Sequence, residues 1–240
     1  MLSNAPPLRS VGRDPDATIL PRSTWPARLA PIAQLLDHGL DLGPVTVFVG
    51  DNGVGKSTLV EAIAGAYGMG PEGGSTGSRH TTRKSESTLA DHLRLNRGLG
   101  AGRGGFFLRA ETMHGFFTYL EHNPGGKDPV FHERSHGESF LDLVVARSRY
   151  PGLWILDEPE SALSFTGSLA LLSILRDIVE AGGSQVILST HSPILASIPG
   201  AVIYEVGPWG YRPCVWKDLD LVRNWRSFLE EPERYYRQLL

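Results

Sequence analysis

Cysteine is nearly absent from this chain, which holds Cys214 alone among 240 residues. A single thiol excludes an internal disulfide and suits a reducing cytosol. Long apolar runs are missing too, because no stretch approaches the ~18 residues that a membrane-spanning helix needs. The N-terminus is polar and proline-rich and lacks the apolar segment of a signal peptide. We therefore expect a cytoplasmic protein with no direct membrane insertion.

An excess of charge of either sign is also missing. Lys and Arg total 23, Asp and Glu total 26, and the formal net charge is −3. This balance does not by itself demand nucleic acid or an acidic membrane surface as a partner. The length allows one large domain with a substantial core.

The most informative pattern is a glycine-rich loop between a predicted strand at 45–49 and a predicted helix at 59–64. The loop consists of Gly50, Asp51, Asn52, Gly53, Val54, Gly55, Lys56, Ser57 and Thr58. Glycines let successive backbone N–H groups converge, and the helix N-terminus adds partial positive charge, so the loop suits phosphate binding. Lys56 would reach the β- and γ-phosphates of ATP, and the Ser57 hydroxyl would bind Mg²⁺. We predict a nucleotide site rather than a glycine turn with a chance lysine.

Buried strands alternate with helices through most of the chain. Predicted strands lie at 106–110, 153–156 and 185–189, and predicted helices lie at 112–120, 140–145 and 169–179. A hairpin over Pro208, Trp209 and Gly210 follows, and two short helices form the tail. This alternation predicts an α/β sandwich, of the P-loop NTPase type, with a mainly parallel central sheet.

We divide the chain into an extended or poorly ordered lead-in at 1–23, a core domain at 24–216 and a helical tail at 217–240. Within the core domain we expect a glycine-rich basic insertion at 66–105 and a helical region at 112–150. The insertion carries Arg79, Arg83, Lys84, Arg94 and Arg97 with few acids to balance them. Such a stretch is either a solvated face or a mobile surface that meets nucleotide, nucleic acid or a partner.

Trp25 precedes the P-loop at about the distance where many ATPases place an aromatic side chain on the adenine ring. The alternative is a buried tryptophan that anchors the N-terminal segment. The sequence alone leaves both interpretations open.

Residues 153–158, Leu-Trp-Ile-Leu-Asp-Glu, resemble the Walker B strand of the ATP-binding-cassette (ABC) ATPases. The resemblance implies that Asp157 holds Mg²⁺, directly or through water, and that Glu158 polarises the attacking water. Phosphoryl transfer needs both functions, since it depends on charge stabilisation and on positioning of the nucleophile. His191, in Ser-Thr-His-Ser-Pro, matches the switch histidine that contacts the γ-phosphate. Residues 161–164, Ser-Ala-Leu-Ser, resemble the D-loop without its final aspartate.

The family's signature motif is matched only in part. Arg-Ser-His-Gly-Glu at 134–138 stands where the family usually has Leu-Ser-Gly-Gly-Gln. Ser135 and Gly137 are retained, so the resemblance implies that they bind the nucleotide of a second copy, while His136 puts a side chain at that interface. The glutamine of the Q-loop is not recognisable, and Glu111 is the only nearby substitute as a metal ligand.

These motifs together resemble a small bacterial family of stand-alone ATPases, related to the heads of DNA-repair and chromosome-maintenance ATPases. The resemblance implies an ABC-type head that binds ATP and Mg²⁺ in an ATP-dependent homodimer. The main hypothesis is ATP hydrolysis that drives a nucleic-acid or protein-remodelling task in repair or defence. Its alternatives are the ATPase subunit of a membrane transporter, which the missing glutamine argues against, and a nucleotide-responsive binding module with little turnover.

Overall fold

The computed structural model describes residues 5–70, 73–76, 88–112 and 136–239 of the chain. Within these ranges the strands are β1 (Leu8–Arg13), β2 (Leu40–Asp41), β3 (Val45–Val49), β4 (Gly74–Ser75), β5 (Leu93–Arg97), β6 (Gly105–Arg109), β7 (Leu153–Asp157), β8 (Gln185–Thr190), β9 (Val202–Gly207) and β10 (Gly210–Pro213). The α-helices are α1 (Ala30–His38), α2 (Lys56–Tyr67), α3 (His136–Arg147), α4 (Phe165–Glu180), α5 (Asp220–Glu230) and α6 (Pro232–Leu239).

A seven-stranded sheet forms the centre of the fold, in the order β10-β9-β3-β8-β7-β6-β4. The five strands from β9 to β6 are parallel, and an antiparallel strand closes each edge. Strands β3, β7 and β8 are buried along their whole length, as expected of parallel strands covered on both faces. The predicted α/β fold with a mainly parallel sheet is confirmed.

Side chains that alternate along the strands separate two hydrophobic cores, one on each face of the sheet. One core joins α2 to Phe48 and Ile155, and it also takes in α1. The opposite core joins α3 and α4 to Val47 and Trp154. The helix that follows the P-loop and the helix that follows the signature motif therefore lie on opposite faces of the sheet.

A second, antiparallel sheet has the order β2-β1-β5. Gln185 connects it to the central sheet: its side chain accepts from Leu8 N at 2.8 Å and donates to Leu8 O at 2.9 Å and Gly43 O at 2.8 Å. Gln185 is fully buried, and two of these bonds satisfy buried backbone groups of Leu8 that water cannot reach.

This second sheet adds to two predictions. Of the two alternatives for the lead-in at 1–23, the extended one describes β1, which pairs with both β2 and β5. The basic insertion at 66–105 contains more than exposed loop, because it supplies β5 and buries Leu89 and Leu93. Apolar residues spaced among glycines and arginines stabilise this part of the insertion by packing on the α2 core.

Several local predictions are confirmed. β9 and β10 form the expected hairpin, two helices make up the tail, and helix α4 ends just before Gly182 and Gly183, both with positive φ. The predicted helix at 112–120 lies outside the described residues apart from its first residue. The proposed buried role of Trp25 is wrong, since 51% of the residue is exposed. Within the described residues no helix has the length and apolar character to cross a membrane.

Candidate nucleotide site

The P-loop connects the end of β3 to the start of α2. Gly53 and Gly55 have φ of 77° and 105°, a left-handed conformation that L side chains rarely adopt. Gly50 needs its small size for another reason, because a Cβ there would lie 2.1 Å from the Val206 carbonyl oxygen. The glycines therefore allow both the curl of the loop and its close approach to β9.

Lys56 is the first residue of α2, and only 3% of it is exposed. Its Nζ donates to the Asp51 carbonyl oxygen at 3.0 Å and lies 2.9 Å from His191 Nε2 and 3.7 Å from Glu158 Oε1. Burial lowers the pKa of Lys56 because it disfavours the charged form, and the nearby carboxylates oppose that effect. This buried ammonium provides positive charge where the loop would hold phosphates.

Asp157 lies at the end of β7 with its carboxylate directed at the first turn of α2. Ser57 Oγ donates to Asp157 Oδ1 at 3.1 Å, and Ser189 Oγ donates to the same oxygen. The Arg109 guanidinium Nε lies 3.6 Å from Asp157 Oδ2. Burial raises the pKa of Asp157, although these donors and the guanidinium act in the opposite direction.

Glu158 is the only non-glycine residue with positive φ among the described residues, at 48°. Holding a glutamate in this conformation costs about 1–3 kcal/mol, and such outliers cluster at functional sites. The backbone is fixed by a hydrogen bond from Glu158 N to the Ser189 carbonyl oxygen at 3.0 Å. His191 Nε2 lies 2.9 Å from Glu158 Oε1, so the carboxylate and the imidazole form a pair beside Lys56.

The oxygen donors at this edge fit a magnesium ion. Ser57 and Asp157 offer a hydroxyl and a carboxylate, and Mg²⁺ in P-loop sites needs few protein oxygens, since phosphates and waters complete its shell. Among the described residues no group of three or more His, Cys, Asp and Glu side chains could hold a metal by itself. Ser57 and Asp157 could therefore hold Mg²⁺ that arrives with nucleotide.

Glu111 follows β6 at the rim of this site, and its side chain is 80% exposed. Its carboxylate pairs with Arg109 at 3.1 Å, and Arg109 also pairs with Glu61 at 2.8 Å. Arg109 thus pairs with both Glu111 and Asp157. The metal-ligand role of Glu111 stays a prediction.

Two further side chains belong to the site but were not among the sequence predictions. Arg109 is the register partner of Asp157 on the neighbouring parallel strand, so strand pairing rather than any motif brings them together. Glu160, in Asp-Glu-Pro-Glu, accepts a hydrogen bond from His191 N. A third acidic residue so close to Asp157 and Glu158 in the sequence could have indicated that Glu160 belongs to the site.

The signature region is described only in part. Residues 113–135, which include Ser135, lie outside the described residues, and so does the side chain of His136. Gly137 lies in the first turn of α3, where a Cβ would be 3.0 Å from the Ala162 carbonyl oxygen. The structure thus places Gly137 beside the D-loop-like turn Pro159–Ala162 and on the face of the sheet opposite α2.

Part of the basic insertion is engaged within the chain. Arg94 pairs with Asp14 at 2.9 Å and with Asp16 at 2.7 Å. The Arg97 guanidinium lies 4.2 Å from the centre of the Tyr67 ring. The remaining basic residues of the insertion, Arg79, Arg83 and Lys84, lie outside the described residues.

Comparison with known families bears on this arrangement of a glycine-rich loop, two strand-end carboxylates and a histidine. The ABC transporter family model matches residues 34–161, just over half of the chain. The chain belongs to the ABC transporter family. This membership agrees with the ATP-binding site that the sequence predicts.

Relatives of this ABC ATPase are named for transport in both directions. The xylose import ATP-binding protein XylG of Brucella abortus (strain 2308) is 25% identical over 177 residues, which cover 64% of this chain and 35% of that protein. The cytochrome c biogenesis ATP-binding export protein CcmA of Saccharophagus degradans is 26% identical over 205 residues, covering 74% of this chain and 86% of that protein. The chain thus spans about a third of the length of XylG.

A solved structure, cbiO1 from Clostridium perfringens, is part of the ABC transporter complex cbiONQ. It is 16% identical, covers 84% of this chain and 90% of its own, and superposes with a TM-score of 0.45. A likeness at this level supports no argument about function. The narrower resemblance to DNA-repair and chromosome-maintenance heads gains no support from the relatives named for import and export.

Proposed function

We propose that this ABC ATPase binds Mg-ATP between two copies of itself and uses hydrolysis to drive transport through a separate membrane partner. The observation that carries the proposal is the assembly of Lys56, Ser57, Asp157, Glu158 and His191 at one edge of the sheet. Such an edge, outside the carboxyl ends of parallel strands, is where open α/β sheets bind ligands.

The residues divide the work of phosphoryl transfer. The curled loop around Gly53 and Gly55 binds phosphates through its N–H groups, and Lys56 offsets their negative charge. Bound Mg²⁺, held by Ser57 and Asp157, supplies further neutralisation of the phosphate charge. Glu158 orients the attacking water and accepts its proton, because its carboxylate is held beside the phosphate-binding lysine.

His191 complements Glu158 in this scheme. The imidazole Nε2 faces both Lys56 and Glu158, and it can either donate to the carboxylate or accept from the ammonium, but not both at once. With a γ-phosphate beside Lys56, an Nε2–H would donate to phosphate or to Glu158. The histidine therefore reports the presence of the γ-phosphate to the catalytic carboxylate.

A composite site between two copies is supported by the placement of α3. Gly137 lies in the first turn of α3, on the face of the sheet opposite the P-loop helix, so it is poorly placed to reach the phosphates of its own chain. Ser135 precedes it by two residues and would contribute with it. A two-fold arrangement of two chains gives two identical sites, each using one chain's P-loop and the other chain's α3 N-terminus.

Transport is favoured over nucleic-acid remodelling as the output. The relatives named above are ATP-binding proteins for import and export, whereas two of the five arginine and lysine residues that suggested nucleic acid, Arg94 and Arg97, contact their own chain. The absent Q-loop glutamine means that the contact with a membrane partner differs in detail from the family pattern.

Mixing two inactive variants tests the composite site. Lys56→Ala removes the phosphate lysine, and Ser135→Arg blocks the α3 contribution, so each variant alone should have little activity. The mixture should regain ATPase activity, because one interface of the mixed dimer carries both intact halves. Turnover per chain should rise with concentration, and ATP should raise the dimer fraction most in Glu158→Gln. Flat turnover on dilution, with only monomer in ATP, would exclude a shared site.

Membrane fractionation tests the output. Glu158→Gln expressed in its native host should sediment with membranes in an ATP-dependent manner, and Lys56→Ala is the matched control. Recovery of the trapped variant with DNA at low salt, lost steeply as salt rises, would instead support the nucleic-acid hypothesis.

A further inference from the structure

Glu160 is a partly buried acid that the proposed chemistry does not use. It lies in the short turn Pro159–Ala162 that follows β7 and Glu158. One carboxylate oxygen, Oε1, accepts from His191 N, and the other, Oε2, is buried with no hydrogen-bond partner among the described residues. Burial raises the pKa of Glu160, and the bond from His191 N opposes that rise. A buried carboxylate oxygen without a partner costs stability, which is a reason to look for a role for Glu160 in the site.

The two ends of His191 are held by different groups. Its ring nitrogen Nε2 lies 2.9 Å from both Glu158 Oε1 and Lys56 Nζ. Its backbone nitrogen is held by Glu160. Because His191 directly follows the last residue of β8, this backbone contact sets where the chain leaves the strand and hence where the imidazole lies.

The turn that carries Glu160 is itself anchored to the catalytic segment. Ser161 N donates to the Glu158 carbonyl oxygen at 3.1 Å, and Glu158 N donates to the Ser189 carbonyl oxygen at 3.0 Å. Glu160 therefore closes a ring of contacts that runs from Glu158 through the turn to His191 and back across the imidazole. A closed ring of this kind fixes the distance between the carboxylate and the imidazole.

We infer that Glu160 is a positioning residue for ATP hydrolysis, which holds the His191 imidazole against Glu158 by accepting the His191 backbone N–H. The inference rests on the proposed role of His191 beside the γ-phosphate. Glu160 is not one of the groups proposed to meet the nucleotide, and in this inference it acts through its hydrogen bond with His191 N.

Two variants with side chains of similar length distinguish the loss of the hydrogen-bond acceptor from the loss of packing. Glu160→Gln keeps an oxygen that accepts from His191 N, whereas Glu160→Met fills the same space without an acceptor. We expect Glu160→Met to lower kcat about tenfold, the scale of one lost orienting hydrogen bond, with ATP affinity within about twofold of wild type. Glu160→Gln should restore most of kcat. Wild-type kcat in Glu160→Met, or equal losses in both variants, would overturn the inference.

A double-mutant cycle with His191→Ala shows whether the effect passes through the histidine. If Glu160 acts only on His191, then adding Glu160→Met to His191→Ala should lower kcat no further. A further tenfold loss in that background would assign Glu160 a structural role and overturn the inference, while leaving the proposed role of His191 intact. Wild-type kcat in His191→Ala alone would overturn the proposed role of His191 as well, so the two failures are distinguishable.

Discussion

Gly50 begins the P-loop directly after β3, and its crowding makes a sharp prediction. A Cβ there would lie 2.1 Å from the Val206 carbonyl oxygen of β9, about 1 Å closer than real Cβ contacts allow. Because β9 is paired with β3, neither backbone can move freely. We expect Gly50→Ala to reduce the free energy of unfolding by about 2 kcal/mol, and so to lower Tm by roughly 4–8 °C.

The shift of the loop in Gly50→Ala should also affect phosphate binding. A shift of about 1 Å in the loop should lower kcat/KM for ATP by as much as ~10²-fold, since catalysis depends on the placement of reacting groups. Thermal unfolding and steady-state phosphate release measure the two effects. Isothermal titration of nucleotide on the purified variant then separates lost binding from lost turnover.

Gly53→Ala is the matched control within the same loop. Gly53 has φ of 77°, but nothing lies within 4 Å of the position of its Cβ. It should therefore cost only the strain of a left-handed alanine, about 1 kcal/mol. If Gly50→Ala melts like wild type, or loses no more stability than Gly53→Ala, the argument from close approach to β9 is refuted.

Two other changes should move stability in opposite directions. Asp157→Asn should raise Tm at neutral pH while abolishing Mg-dependent turnover. Burial raises the pKa of Asp157, so its ionised form lowers the stability of the folded state. That loss of stability disappears as the pH falls through the raised pKa towards about 4, the ordinary pKa of an aspartate. Melting curves across that pH range should show the advantage of Asp157→Asn shrinking under acid, and a constant advantage would contradict this account. Gln185→Leu should cost about 2–4 kcal/mol in denaturant unfolding, because it leaves buried backbone groups of Leu8 and Gly43 unpaired.

The parts of the fold that could be predicted are those with local causes. Mostly apolar runs such as Val45–Val49 and Leu153–Asp157 predict buried strands, and the glycines between β3 and α2 predict the curled loop. The pairing of β1 with β5 could not be predicted in this way. It joins segments about 80 residues apart, and short polar strands carry no local signal for their partner.

The candidate site divides along the same line. Asp157, Glu158 and His191 stand in motifs, whereas Arg109 reaches Asp157 only because β6 and β7 pair in a particular register. Of the two interpretations of Trp25, the buried anchor fails. Aromatic side chains are mostly buried on average, yet 51% of this residue is exposed.

The turn Pro159–Ala162 contacts His191 on one side and Gly137 on the other. Through Glu160 it holds His191, which serves the chain's own nucleotide, and through Ala162 it lies against Gly137, which in the proposed dimer serves the nucleotide of the other chain. In the proposed dimer, two sites that share such a turn would be coupled to each other. Loss of the γ-phosphate at one site would change the affinity for nucleotide at the other. The two sites should therefore hydrolyse ATP in a coordinated order rather than independently.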